Sequence, residues 1–292
     1  MNALILMGLR VYFTVLAKLA PRMAGRQAQK LFTTPRFRRP VSPVIADVMA
    51  QAEAFELDVD EDRVSCYRWP GGSEDAPRVM LVHGWESRAS RLAAWVTPLR
   101  EAGFEVVAFD APAHGESSGK RSGPFFFARS VRRLADHVGS IDAVVGHSLG
   151  GLSSMVAITS GDWINQQSID PSRLVIVAGA ESGVEAMGLF CDALGLAPSF
   201  LPLLLEAAAE EWPGKTVADF DGRHLMPRRE IPTLWLHDPA DDEAGWSGAE
   251  AVAAAAPHVE LVAMPGLGHH KIARDPEVIR RGVEFLAAWA SS

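Results

Sequence analysis

Ser148 is the residue whose surroundings point most directly to chemistry. It lies in Val145-Gly146-His147-Ser148-Leu149-Gly150-Gly151, after a short apolar run and before the small-residue helical run Leu152 to Thr159. That reads as strand, sharp turn and helix, with a serine at the apex. Gly-x-Ser-x-Gly in this setting is the pattern of a nucleophile elbow. Glycine is needed at 146 and 150 because a side chain there would strike the neighbouring strand or helix, and glycine neighbours tolerate the strained turn. The hydroxyl is pushed out at the carboxyl end of a sheet, at a helix N-terminus that favours a developing anion. A serine hydroxyl is a poor nucleophile at neutral pH. The chemistry therefore also requires a base within hydrogen-bond reach and a carboxylate behind that base.

Other chemistries have less support. Cys66 and Cys191 lie far apart, in no metal or redox spacing, and read as buried free thiols of a reducing cytoplasm. His-Glu-x-x-His and Cys-x-x-Cys are absent, so no metal is expected, and no cofactor is implied. The net charge of −8 argues against a nucleic-acid partner. At 292 residues and 48% hydrophobic, the chain has ample material for a core that could hold such a site.

The elements that must position Ser148 follow from periodicity. Phe55 to Val59 and Arg63 to Trp69 alternate in polarity around Asp60-Glu61-Asp62 and predict a hairpin. Continuous apolar strands are predicted at 78–82, 104–109, 142–145, 174–177, 233–236 and 259–263. Between and after them the spacing predicts helices over Arg91 to Ala102, Phe125 to Val138, the run after the elbow, and Pro276 to Trp289. Strands apolar on both faces imply a mostly parallel sheet of eight strands, with helices on each side. The segment between Val177 and Pro232 breaks the rhythm. It has no strand signal and is rich in Leu, Ala, Phe and Met, so residues 179–230 are expected to form a helical cap above the carboxyl edge. The core is then 51–178 and 231–292.

Residues 1–50 stand apart as an apolar helix and an arm. Ala3 to Ala20 is apolar except for Arg10, Thr14 and Lys18, a polar stripe at intervals of four. Arg10 interrupts the run too early for a membrane span. The first expectation is a helix docked on its own domain or on a second subunit. Attachment to a membrane surface is the second. A cleaved signal is the third, weakened because no basic residue precedes the apolar run. Pro21 to Pro43 is basic, holds four prolines and shows little periodicity, so an irregular wrapping arm is expected. Its Arg36, Arg38 and Arg39 read as a solvated face that could supplement membrane attachment.

Five motifs together resemble the α/β-hydrolase family over residues 50–290. His83-Gly84 resembles the family's oxyanion loop. Asp110 to Ser117 resembles Asp-x-Pro-Gly-His-Gly-x-Ser, with Ala113 in place of glycine. Gly146 to Gly150 matches the elbow. His237-Asp238-Pro239-Ala240-Asp241 resembles His-Gly-x-x-Asp, and Gly266-Leu267-Gly268-His269 resembles Gly-x-Gly-His.

The resemblance implies Ser148 as nucleophile, His269 as base and Asp241 as acid, with the N–H groups of Leu149 and Trp85 as oxyanion donors. Asp238, Asp242 and, after the preceding strand, Glu181 are the alternative acids. His83, His114 and His147 read as structural, and His270 as a partly exposed neighbour. The implied activity is hydrolysis of a carboxylic ester with a hydrophobic acyl or alkyl group through an acyl-enzyme. A thioesterase, an acyltransferase or a carbon–carbon hydrolase would use the same residues, and a binding module could keep the shell without turnover.

Overall fold

The computed structural model of the chain describes residues 3–37, 41–160, 169–212 and 214–290. Arg38 and Arg39 of the basic run therefore lie outside the described residues. The strands are β1 (Glu53–Val59), β2 (Asp62–Trp69), β3 (Arg78–Val82), β4 (Glu105–Phe109), β5 (Ala143–His147), β6 (Arg173–Val177), β7 (Thr233–His237) and β8 (Val259–Ala263). They form one sheet in the order β1-β2-β4-β3-β5-β6-β7-β8. The hairpin β1–β2 joins the sheet antiparallel to β4, and every pair from β4–β3 to β7–β8 is parallel. Every residue of β4, β5 and β7 is buried, as an apolar run covered on both faces requires.

The helices are α1 (Ala3–Leu19), α2 (Pro21–Phe32), α3 (Pro43–Ala50), α4 (Val96–Glu101), α5 (Pro124–Val138), α6 (Leu149–Thr159), α7 (Gly183–Ala193), α8 (Leu201–Glu211), α9 (Gly222–Leu225), α10 (Trp246–Ala255), α11 (Gly268–Lys271) and α12 (Pro276–Ala290). Successive residues of a strand point to opposite faces, and the core divides accordingly. Met80, Val82, Val107 and Val144 pack with Phe127 and Val131 of α5, Leu152 and Val156 of α6, and Val252 of α10. Val79, Leu81, Val106 and Val145 pack on the other face with Trp95, Leu99 of α4, and Val278 and Leu286 of α12. The helix expected from Arg91 begins instead as a tight 3-10 turn over Ala89–Trp95 and becomes α-helical only at Val96.

The N-terminal arm corrects an expectation. Pro21–Phe32 is a helix, not an irregular wrap. Pro21 occupies its first turn, where a missing N–H costs nothing. Its buried face is Ala24, Gly25, Ala28 and Gln29, too small to register as apolar periodicity. A Cβ on Gly25 would stand 2.2 Å from the Leu203 carbonyl oxygen, so glycine lets α2 lie close against α8. Phe13 of α1 is buried with Ala24 and Ala28 against Cys191, Leu194, Phe200 and Leu204. Arg121 donates to Thr33 and pairs with Glu211, tying the end of α2 to both the core and α8. Among the described residues no helix is long and apolar enough to cross a membrane.

Within the 179–230 segment, α7 and α8 follow one another. Its two ends meet: Ser182 bridges Asp221, and the Gly222 N–H donates to the Glu181 carbonyl at 2.7 Å.

Candidate active site

β5 ends at His147 and α6 begins at Leu149, which leaves Ser148 alone at the turn with φ 55° and ψ −125°. This is left-handed backbone, costly for a residue with a side chain. A Cβ on Gly146 would lie 2.8 Å from the backbone of Gly150 and Gly151, and one on Gly150 would lie 2.2 Å from the Val82 carbonyl oxygen. Both glycines are required by close approach. The Ser148 N–H donates to the Val177 carbonyl at 3.0 Å, anchoring the apex to β6.

His269 reaches this hydroxyl from the opposite end of the sequence. Its Nε2 lies 2.8 Å from Ser148 Oγ, and its Nδ1 lies 2.8 Å from Asp241 Oδ2. The other carboxylate oxygen, Asp241 Oδ1, accepts from the N–H groups of Glu243 and Ala244 at 2.9 and 3.0 Å. Burial alone would raise the Asp241 carboxyl, but the His269 hydrogen bond and these N–H groups outweigh it and hold it below the usual range. The group therefore stays ionised behind the imidazole. Of the three expected site side chains, none is displaced from the others.

The alternative acids are placed elsewhere. Asp242 is exposed and lines the adjoining cavity. Glu181 is buried against Gly248 of α10, whose Cβ position would strike its carboxylate. Asp238 does something the sequence did not suggest. Its Oδ2 accepts from the N–H groups of Leu267 and Gly268 at 2.6 and 2.5 Å, and its Oδ1 from Ala240 at 2.9 Å. It ties the loop bearing Asp241 to the loop bearing His269. The only signal in the sequence was the departure from glycine. Burial opposes ionisation of Asp238, yet the three N–H groups keep its carboxyl below the usual range.

The remaining histidines hold loops. His83 Nδ1–H donates to the Gly84 carbonyl at 2.7 Å, and its Nε2 accepts from Ala111 N–H at 3.0 Å. His114 Nδ1–H donates to the Pro112 carbonyl at 2.9 Å, and its Nε2 accepts from Glu86 N–H at 3.0 Å. These bonds fix the turn Gly84-Trp85-Glu86 beside the elbow. His147 Nε2–H donates at 2.9 Å to the carbonyl of His269 itself. Burial lowers His83 to about 4. Burial, then the charge of His269, lowers His147 to about 3. Neutral His83 can therefore accept one N–H bond while donating the other. His237 accepts from Trp235 Nε1–H at 3.0 Å and donates to the Ala244 carbonyl at 2.8 Å, under the Asp241 turn.

Trp85, Ser148, Leu149 and His269 open together into a cavity of about 890 Å³. Its far walls come from Phe32, from Phe125 of α5, from Met187 and Phe190 of α7, and from Trp212 after α8. As first residue of α6, Leu149 has an N–H with no acceptor inside the helix, next to Ser148 Oγ. Glu243, His269 and His270 carry ligand atoms within 4.8 Å of one another, but an ion there would compete with Ser148 for His269 Nε2.

A segment of 104 residues is 39% identical to the dihydrolipoyllysine-residue acetyltransferase component of the acetoin cleaving system of Cupriavidus necator, covering 34% of this chain and 27% of that one. An esterase of Mycobacterium tuberculosis is 34% identical over 101 residues, covering 33% and 32%. The chain thus aligns with about a third or less of these relatives' length. Among solved structures, a membrane phospholipase A described as a bacterial virulence factor superposes with a TM-score of 0.62 at 19% identity, covering 85% of this chain and 92% of that one. The sequence model of the Alpha/beta hydrolase family matches residues 79–281, from β3 into α12. With most of its sheet and all three residues of the Ser148 site inside that match, the chain belongs to the alpha/beta hydrolase family.

Proposed function

We propose that the protein is a serine hydrolase that cleaves carboxylic esters with a hydrophobic acyl or alkyl group. The observation that carries this reading is the unbroken hydrogen-bond line from Ser148 Oγ through His269 to Asp241. Ser148 Oγ attacks the ester carbonyl carbon while His269 Nε2 takes its proton. Asp241 holds the imidazole in the tautomer with Nδ1 protonated and stabilises the imidazolium that forms. The carbonyl oxygen becomes an anion, and the N–H groups of Leu149 and Trp85 are its donors. His269 returns the proton to the leaving alkoxide as the carbon–oxygen bond breaks, giving alcohol and acyl-Ser148. Water, deprotonated by His269, attacks the acyl carbon; collapse frees the acid and restores the serine. The apolar far walls favour a hydrophobic chain, and the 179–230 segment acts as a cap over it.

The test is a chain-length series of p-nitrophenyl esters and matched thioesters, run on wild type and on Ser148→Ala. Ester turnover should exceed thioester turnover and rise with acyl length. Ser148→Ala should lose at least about ten-thousand-fold in kcat and all labelling by a fluorophosphonate. Labelling that persists in the variant removes Ser148 from the role. A preference for thioesters moves the assignment to acyl-thioester chemistry on the same residues.

A further inference from the structure

We infer that the outer face of α1 docks on an anionic phospholipid surface. Only one side of α1 is covered, by packing through Phe13 onto α7 and α8. The opposite side exposes Leu4, Val11, Val15 and Leu19, the first at 70% and the last at 78%, and Met23 of α2 is exposed at 54%. Residues at these intervals share one helix face, so the exposed side chains form a continuous apolar strip. Large contiguous apolar surface of this kind marks an interaction site.

Charge selects the occupant. Ahead of Asp47 the chain carries eight Lys/Arg and no Asp/Glu, whereas the remainder carries 20 against 36. The basic end of an otherwise acidic protein thus coincides with its uncovered apolar helix. Arg10 and Lys18 are exposed on the stripe that borders the strip, and Arg22 and Lys30 are exposed on α2. Among the described residues Arg26 pairs with Glu210, and Arg10, Lys18 and Lys30 have no carboxylate within salt-bridge reach. A helix apolar on one face and flanked by cations lies in the interface of an anionic bilayer, with its apolar side chains below the headgroups. A second copy of the same helix would bring these cations against each other. The surface leads to the cavity, because α2 ends at Phe32 in the cavity wall, and the Arg36 N–H then donates to Glu86 at 2.8 Å beside Trp85. The inference is independent of the reaction at Ser148.

Sedimentation of the full chain with vesicles tests it, using pure phosphatidylcholine and a mixture of phosphatidylcholine and phosphatidylglycerol. Binding should favour the phosphatidylglycerol vesicles and weaken as salt rises. Val11→Asp combined with Val15→Asp should lower the partition coefficient at least about tenfold, with soluble-ester turnover and melting temperature unchanged. Lys18→Gln combined with Arg22→Gln should abolish the preference for phosphatidylglycerol. Absence of vesicle binding at low salt overturns the inference. So does binding that the valine variants leave intact, or a dimer in analytical ultracentrifugation that those variants dissociate while lipid binding is absent.

Discussion

Asp238 stands where the family motif carries glycine, and its carboxylate spans the loops that carry Asp241 and His269. The three N–H groups it accepts from leave it ionised. Its role is positioning: it touches neither Ser148 nor the His269 ring, but fixes the two residues before His269. Asp238→Ala strands those donors, so kcat should fall about tenfold through loss of alignment while KM stays near its starting value. Unfolding free energy should drop by about 2 kcal/mol. Asp238→Asn keeps one acceptor and should recover part of the lost kcat. A fall confined to stability, with kcat intact, would make the clamp purely structural. The same scale shows what residue types conceal. Ala113, in place of the motif's glycine, adopts φ 64° within the loop that His114 holds. A sequence reader sees a substitution at each site, but only a backbone shows that one is strained and the other cross-linked.

At the scale of elements, α2 is where local reading and packing part company. Strands β3 to β7 were legible because burial on both faces leaves uninterrupted apolar runs; β8, at the sheet edge, buries only Val259 and showed through its Val and Leu content. The elbow was legible because only glycine survives at 146 and 150. Pro21–Phe32 was not, since its contact with α8 is made by Ala24, Gly25 and Ala28, whose contribution is proximity and not apolar bulk. Gly25→Ala tests that account. The new Cβ would collide with backbone at Leu203, which cannot rotate away as a side chain can. Overpacking of this kind should cost about 1–3 kcal/mol, read as a lower midpoint in chemical denaturation. It should also alter the acyl-length preference, because Gln29 and Phe32 of the same helix line the cavity. An unchanged midpoint would mean that α2 rides on α8 less closely than described.

For the whole molecule, the buried histidines set a dependence on acidity. His83 and His147 are held neutral at about 4 and 3, against an ordinary value near 6.5. Below pH 6.5 the unfolded chain gains protons that the folded chain refuses, so stability falls as pH falls. Between pH 7 and pH 5 each should cost about 2 kcal/mol. The loss should continue to about pH 4 for His83 and about pH 3 for His147. The depressed carboxyls of Asp238 and Asp241 act lower still: their contribution is complete above the ordinary carboxylate range and is lost only as pH drops through their folded values. Urea unfolding at pH 7, 6 and 5 checks this. A flat profile over that interval would show that the two imidazoles take up protons without loss of the fold.

The cavity is walled by residues from within the family-matched stretch and by residues that precede it. Phe32 and Thr33 precede it by dozens of residues, yet they face Ser148 across the same space as Phe190 and Trp212. Two homologues with the same serine, histidine and aspartate can therefore present different cavities simply by differing in α2 and the residues just after it. In this architecture the shape of the cavity can be rewritten from residues 29–36, without touching the Ser148 site.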